Sequence, residues 1–234
     1  MTAASPSLQI EHRDGGVLAL WLNRPSVRNA LDMALVDALV EAFATPGVTA
    51  FVLGSADPGW FCAGADLALD DRARARVSDR LYELYEVMVS GAAPIIAAIE
   101  GPAIGGGAQL AVASDLRIGS STARLRFPGP GHGLSVGAWA LSSLVGRGRA
   151  IDLCLTMRAV DGEEALRIGL LDRIEPDPRA AACSMAATFA QLDAPAAARV
   201  KAIVREGCDL PRALRAERAG NSDWSGSVEG LSRR

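Results

Sequence analysis

Histidine and cysteine are scarce in this sequence. The only histidines are His12 and His132, and the four cysteines are Cys62, Cys154, Cys183 and Cys208. No two cysteines form a C-x-x-C pair, so no zinc constellation suggests itself. They read as reduced thiols, which points to a cytoplasmic protein rather than a disulfide framework. No run of about 18 apolar residues is present, which argues against a membrane-spanning helix. Residues 1–9 have neither the basic nor the apolar part of a secretory signal. Positive charge is not in excess either. Lys and Arg number 24 against 27 Asp and Glu, for a net charge of −3. Without a global basic field a nucleic-acid partner is disfavoured, and a phosphate-bearing ligand needs a local basic patch.

What is present is apolar. Half of the 234 residues are hydrophobic and 22% are charged, enough for a large core in one domain or two. No linker interrupts the first 175 residues, which predict a core over 1–175 followed by an Ala-rich helical region over 176–234. Segments 8–13 and 17–23 flank Asp14-Gly15-Gly16 and predict a hairpin. A helix is expected over 30–43, a strand over 50–54, and helical structure from Asp66, with an amphipathic helix over 79–89. Strands follow at 95–99, 116–118 and 125–127, and helices at 138–145 and 149–155. Asp161 with Glu164 has capping-box spacing, and Gly169 closes the helix. The recurring order strand, strand, helix predicts an α/β chain coiled as stacked ββα units.

Two stretches carry the chemistry. In 101–110, GPAIGGGAQL, three glycines stand between a buried strand and a helix. They let a ligand approach the backbone, and the helix N-terminus offers free N–H groups to an oxygen that gains negative charge. In 61–67, FCAGADL, a second small-residue turn presents the N–H of Ala65. Two such turns can converge on one oxygen.

With Asn23-Arg24-Pro25, Arg28-Asn29-Ala30-Leu31 and Ala165…Ile168-Gly169-Leu170-Leu171-Asp172 in the same order, these stretches resemble the crotonase, or enoyl-CoA hydratase/isomerase, superfamily. The resemblance implies a crotonase-like ββα superhelix with a C-terminal helical trimerisation region. It implies an acyl-CoA thioester as ligand, with coenzyme A as part of that ligand and no metal or other cofactor. The Ala65 and Gly106 amides would form the oxyanion hole. Coenzyme A would lie along Arg24, Arg28, Ala30, Ala63, Asp66 and Leu67. The assembly would be a homotrimer or hexamer.

The departures matter more. Hydratases of this family use two glutamates to hold water and move its proton. At the matching positions this chain has Gln109 and, after Phe127-Pro128, Gly129. An amide does not accept a proton from water at neutral pH, and glycine has no side chain. Acid–base catalysis is worth about 10²–10⁴-fold, so binding and thioester polarisation would survive without efficient proton transfer. His132 is the alternative base, with a solvated loop histidine as its plain reading. Arg72, Arg74 and Arg76 read as a solvated face near the CoA path. Gly133-Leu134-Ser135-Val136-Gly137 matches a nucleophile elbow in letters only, because no late-chain histidine partners it.

Three functions compete on this evidence. The first is a hydratase-deficient acyl-CoA carrier of fatty-acid metabolism. The second is an active hydratase/isomerase-type enzyme using His132 or an unrecognised carboxylate. The third is a structural subunit of a lipid-metabolic complex. Whether the chain is an enzyme is left open by its residues.

Overall fold

Strand β2 (Val17–Leu22) shows why the chain folds around a sheet. Every one of its residues is buried, so VLALWL carries no polar alternation. It pairs antiparallel with β1 (Leu8–Arg13) and parallel with β3 (Ala50–Ser55). The structure, a computed structural model, describes residues 7–227. The signal-free reading of residues 1–6 and the end of the predicted C-terminal region, 228–234, lie outside them.

The other strands are β4 (Ile95–Ile99), β5 (Pro102–Ile104), β6 (Leu116–Gly119), β7 (Arg124–Arg126), β8 (Val160–Asp161) and β9 (Arg173–Ile174). They form a six-stranded sheet in the order β1-β2-β3-β4-β6-β9 and a three-stranded sheet in the order β5-β7-β8. The helices are α1 (Met33–Phe43), α2 (Asp71–Ser90), α3 (Gly106–Ala113), α4 (Ala138–Val145), α5 (Arg147–Thr156), α6 (Gly162–Ile168), α7 (Pro178–Phe189), α8 (Ala194–Gly207) and α9 (Leu210–Gly220).

The sheet is covered on both sides, and β2 divides its residues between them by strict alternation. Leu18, Leu20 and Leu22 join the core with α1, α2 and α3. Val17, Ala19 and Trp21 face the other way, onto Ala182 and Ala186 of α7. Those alanines stand four residues apart on one helix face, and their small size lets α7 lie close to the sheet.

The predicted hairpin, the strand over 95–99 and the capped helix after Asp161 all form. Asp161 accepts from the Glu164 amide at 2.9 Å, and Gly169 closes α6 in a left-handed conformation. Three expectations are corrected. The helix expected from residue 30 starts at Met33, because Asp32 caps it by accepting from Leu35 N at 2.9 Å. The helix expected from Asp66 starts at Asp71, with Asp70 as cap, and Asp66 sits in an irregular turn. The segment 102–104 is a strand rather than part of the glycine turn.

Candidate functional site

Backbone pairing brings the three motifs together. Segment 61–66 lies between the other two. On one side Leu31 N donates to Gly64 O at 2.8 Å, and Asp66 N donates to Leu31 O at 3.0 Å. On the other side Cys62 N donates to Pro102 O at 3.1 Å, and Ile104 N donates to Cys62 O at 2.9 Å. Gly64 and Asp66 are both bound to Leu31, so Ala65 N between them points away from that partner. Gly106 N opens α3 and has no partner within the helix. Neither amide has a backbone acceptor among the described residues.

The two amides are neighbours. A Cβ built on Gly64 would stand 3.3 Å from Gly106 N and only 2.6 Å from Ile104 O. Glycine is therefore required at 64, where φ is also +90°. Gly105 takes φ +54°, ψ −116° as the N-cap of α3, which turns the Gly106 amide out of the chain. Ala65 and Gly106 line one cavity of about 300 Å³. Its other walls include Leu67, Pro128, Leu134, Val136 and Trp224, and its polar side chains include Arg74, Arg126 and His132. No aspartate or glutamate is among the lining residues that the structure describes. A larger cavity of about 470 Å³, bordered by Val112, Phe189 and Val204, shares no lining residue with the amide pair.

Gln109 is 4% exposed and does not line the cavity. Its Oε1 accepts from Gly137 N at 3.1 Å and from the Trp139 indole at 3.0 Å. Gly129 is closed to any side chain. A Cβ there would come within 2.5 Å of Val136 Cγ2 and 2.6 Å of Leu134 O. His132 lies in the cavity wall with a buried Nδ1 that has no partner among the described residues. Burial, then the charges of Arg74 and Arg126, pushes its pKa below the usual histidine value, so the ring is neutral near pH 7.

The positions expected along coenzyme A divide into two groups. Arg24 is engaged internally. It donates to Asp66 at 3.2 Å and to Ala30 O, and it pairs with Asp32 at 3.1 Å. Ala30 and Asp66 are buried beside this half-buried side chain. Arg28 is exposed, with its guanidinium 4.8 Å above the Trp60 ring. Ala63 and Leu67 line the cavity, and Leu67 is 64% exposed. Buried Asn29 fastens this loop by donating to Ser55 at 2.7 Å and to Phe61 O at 3.0 Å. Burial pushes the nearby Cys62 thiol up to about 12, so it is an inert packing group.

Arg74 does not lie on the solvated face expected of it. It is buried and donates to Gly226 O, Leu69 O and Asp71. Ser135 is exposed and follows no strand, and Asn221 binds its backbone rather than its hydroxyl. The elbow geometry is therefore absent.

Glu217 of α9 was not singled out by the sequence. Its buried carboxylate accepts from Tyr82 Oη at 3.1 Å, Gly137 N at 3.2 Å and Trp139 N at 2.9 Å. It thus sits on the N-terminus of α4, beside Gln109.

A sequence model of the enoyl-CoA hydratase/isomerase family matches residues 12–228. A Mycobacterium tuberculosis protein named "Probable enoyl-CoA hydratase echA6" is 43% identical over 164 residues, covering 68% of this chain and 67% of its own. The short-chain-enoyl-CoA hydratase of Clostridium acetobutylicum is 32% identical over 226 residues, covering 88% and 84%. Among solved structures, an enoyl-CoA hydratase from Bacillus anthracis superposes with a TM-score of 0.82 at 26% identity, covering 97% and 93%. Pseudomonas aeruginosa DspI superposes with a TM-score of 0.81 at 31% identity, covering 92% of each chain. The fold is that of the crotonases.

Proposed function

The chain belongs to the enoyl-CoA hydratase/isomerase family, and on that premise we propose that it binds acyl-CoA thioesters without hydrating them by the two-carboxylate route. One observation carries the proposal: among the described residues, the cavity that holds the Ala65 and Gly106 amides has no carboxylate in its wall. The two amides take the thioester oxygen as an oxyanion hole. Arg28, Ala63 and Leu67 border the path of coenzyme A. Arg24, Ala30 and Asp66 act behind them by fixing the loop. Gln109 and Gly129 occupy the positions of the absent acid–base pair. Val136 and Leu134 fill the space that a side chain at 129 would need. Neither a metal nor a further cofactor is invoked. The reading makes the protein a cytoplasmic acyl-CoA carrier of fatty-acid metabolism, assembled as a homotrimer or a dimer of trimers.

Two assays test this together. Calorimetric titration with a saturated acyl-CoA should show binding. Hydration of crotonyl-CoA and of a longer enoyl-CoA should run at least about 10³-fold slower than with a working hydratase. Rapid hydration would overturn the carrier reading.

A second reading keeps an enzyme, with His132 as base. It is favoured by the place of His132 in the wall of the same cavity. It requires turnover that His132→Ala abolishes while acyl-CoA still binds.

A further inference from the structure

The cavity wall has more hydrogen-bonding capacity than a plain alkyl chain can use. Arg74 is engaged at every nitrogen, since Nε donates to Gly226 O at 3.0 Å, Nη1 to Leu69 O at 3.0 Å and Nη2 to Asp71 at 2.9 Å. The Trp224 indole is also engaged, donating to His132 O at 2.7 Å. Arg126 differs. Its Nε donates to Met157 O at 2.7 Å, which fixes the plane of the guanidinium. Among the described residues its two Nη groups have no acceptor, and no carboxylate forms an ion pair with it.

The charge balance is equally one-sided. The charge of Arg74 is offset by Asp71, while among the described residues that of Arg126 has no ion-pair partner. No acidic residue lines the cavity among the described residues. The half-buried Arg126 is close enough to lower the pKa of His132 together with Arg74. Covering such a guanidinium with hydrocarbon removes its water and returns nothing. An anion in the same place gains a paired, charge-assisted contact, and guanidinium matches a carboxylate with two parallel N–H donors.

We propose that this cavity takes acyl-CoA thioesters whose acyl chain ends in a carboxylate, held by the Arg126 Nη groups. The proposal rests on the acyl-CoA reading above. It adds a specificity-determining residue, Arg126, at the end of β7.

The test is calorimetric titration near neutral pH with matched pairs: hexanoyl-CoA against adipoyl-CoA, and valeryl-CoA against glutaryl-CoA, with free coenzyme A alongside. The carboxylated member of a pair should bind at least about tenfold more tightly, and Arg126→Met should bring the ratio close to one. Arg126→Lys, which keeps the charge and loses the fork, should leave an intermediate ratio. It is also the informative variant if the methionine variant does not fold. Equal affinities within each pair in the parent protein would overturn this proposal and leave the acyl-CoA reading standing. A loss on Arg126→Met as large for free coenzyme A as for adipoyl-CoA would assign Arg126 to a coenzyme A phosphate and also overturn it. Failure of every thioester to bind would overturn both.

Discussion

Glu217 keeps a carboxylate 7% exposed with no basic side chain in ion-pair contact among the described residues. Burial pushes its pKa up to about 7 from 4.5, against the lowering effect of the Trp139 N, Tyr82 and Gly137 N donors. The unfolded chain releases this proton near 4.5 and the folded chain near 7. Between those values the folded state holds more protons, so stability falls as pH rises through the window and levels off above it. Glu217→Gln removes the ionisation. Relative to the variant, the parent should lose stability progressively from about pH 4.5 to about pH 7, whatever constant offset the amide introduces. Denaturant unfolding of both proteins across that range reads the difference in slope, and parallel curves would contradict the assignment. The same geometry explains Gln109, which shares the Gly137 amide with Glu217. A glutamate at 109 would put a second carboxylate against the first, with one N–H between them. The expectation that Gln109 and Gly129 stand where the family has its glutamates comes from the sequence alone, because a motif makes a missing residue conspicuous. Glu217 was not legible. LPRALRAERAG reads as an ordinary amphipathic helix, and Tyr82, Gly137 and Trp139, which surround this carboxylate, are about 80 or more residues away in sequence.

The segment 129–137 has no strand and only a short 3₁₀ turn, yet it forms much of the cavity wall. Its backbone is held from outside by α9 and the turn after it. Glu217 binds Gly137 N and Trp139 N. Asn221 accepts from Ser135 N at 2.9 Å and donates to Ser135 O at 2.7 Å and to Tyr82 Oη at 2.6 Å. Trp224 donates to His132 O. Asn221→Ala removes three of these contacts at about 1 kcal/mol each, so a stability loss of about 1–3 kcal/mol is expected. Amides of 133–137 should exchange faster with solvent, and acyl-CoA should bind more weakly. Unchanged exchange at Ser135 would show that the loop holds itself. The part played by α9 could not be read locally, whereas the hairpin, β4 and the capped α6 each announce themselves within about ten residues. The helix start was misplaced at Asp66, because the cap that starts it is Asp70, four residues on. A second error falls where a strand is defined by distant pairing, as Pro102–Ile104 is by β7.

At the scale of the whole molecule, α8 has its amphipathicity turned inside out. Lys201 is its buried side chain, with Nζ donating to Met88 O at 3.1 Å and Ala93 O at 2.9 Å and paired with Asp115 at 2.9 Å. Val200, Ile203 and Val204 are instead 63%, 69% and 62% exposed. Val200 and Val204 border the cavity of about 470 Å³. Covering an aliphatic side chain is worth about 1.5–3 kcal/mol, and a contiguous exposed apolar face marks a surface that another protein covers. The family to which the chain belongs makes a second and third copy of itself the expected cover. Light scattering should therefore give three or six copies per particle at micromolar concentration. Ile203→Asp combined with Val204→Asp should shift the protein toward monomer, because two carboxylates per subunit would be desolvated in the contact. Circular dichroism of the double variant separates dissociation from unfolding: retained helix with a smaller mass supports the interface. A parent protein that scatters as a monomer, or a double variant with unchanged mass, would show that this face of α8 is not where the copies meet.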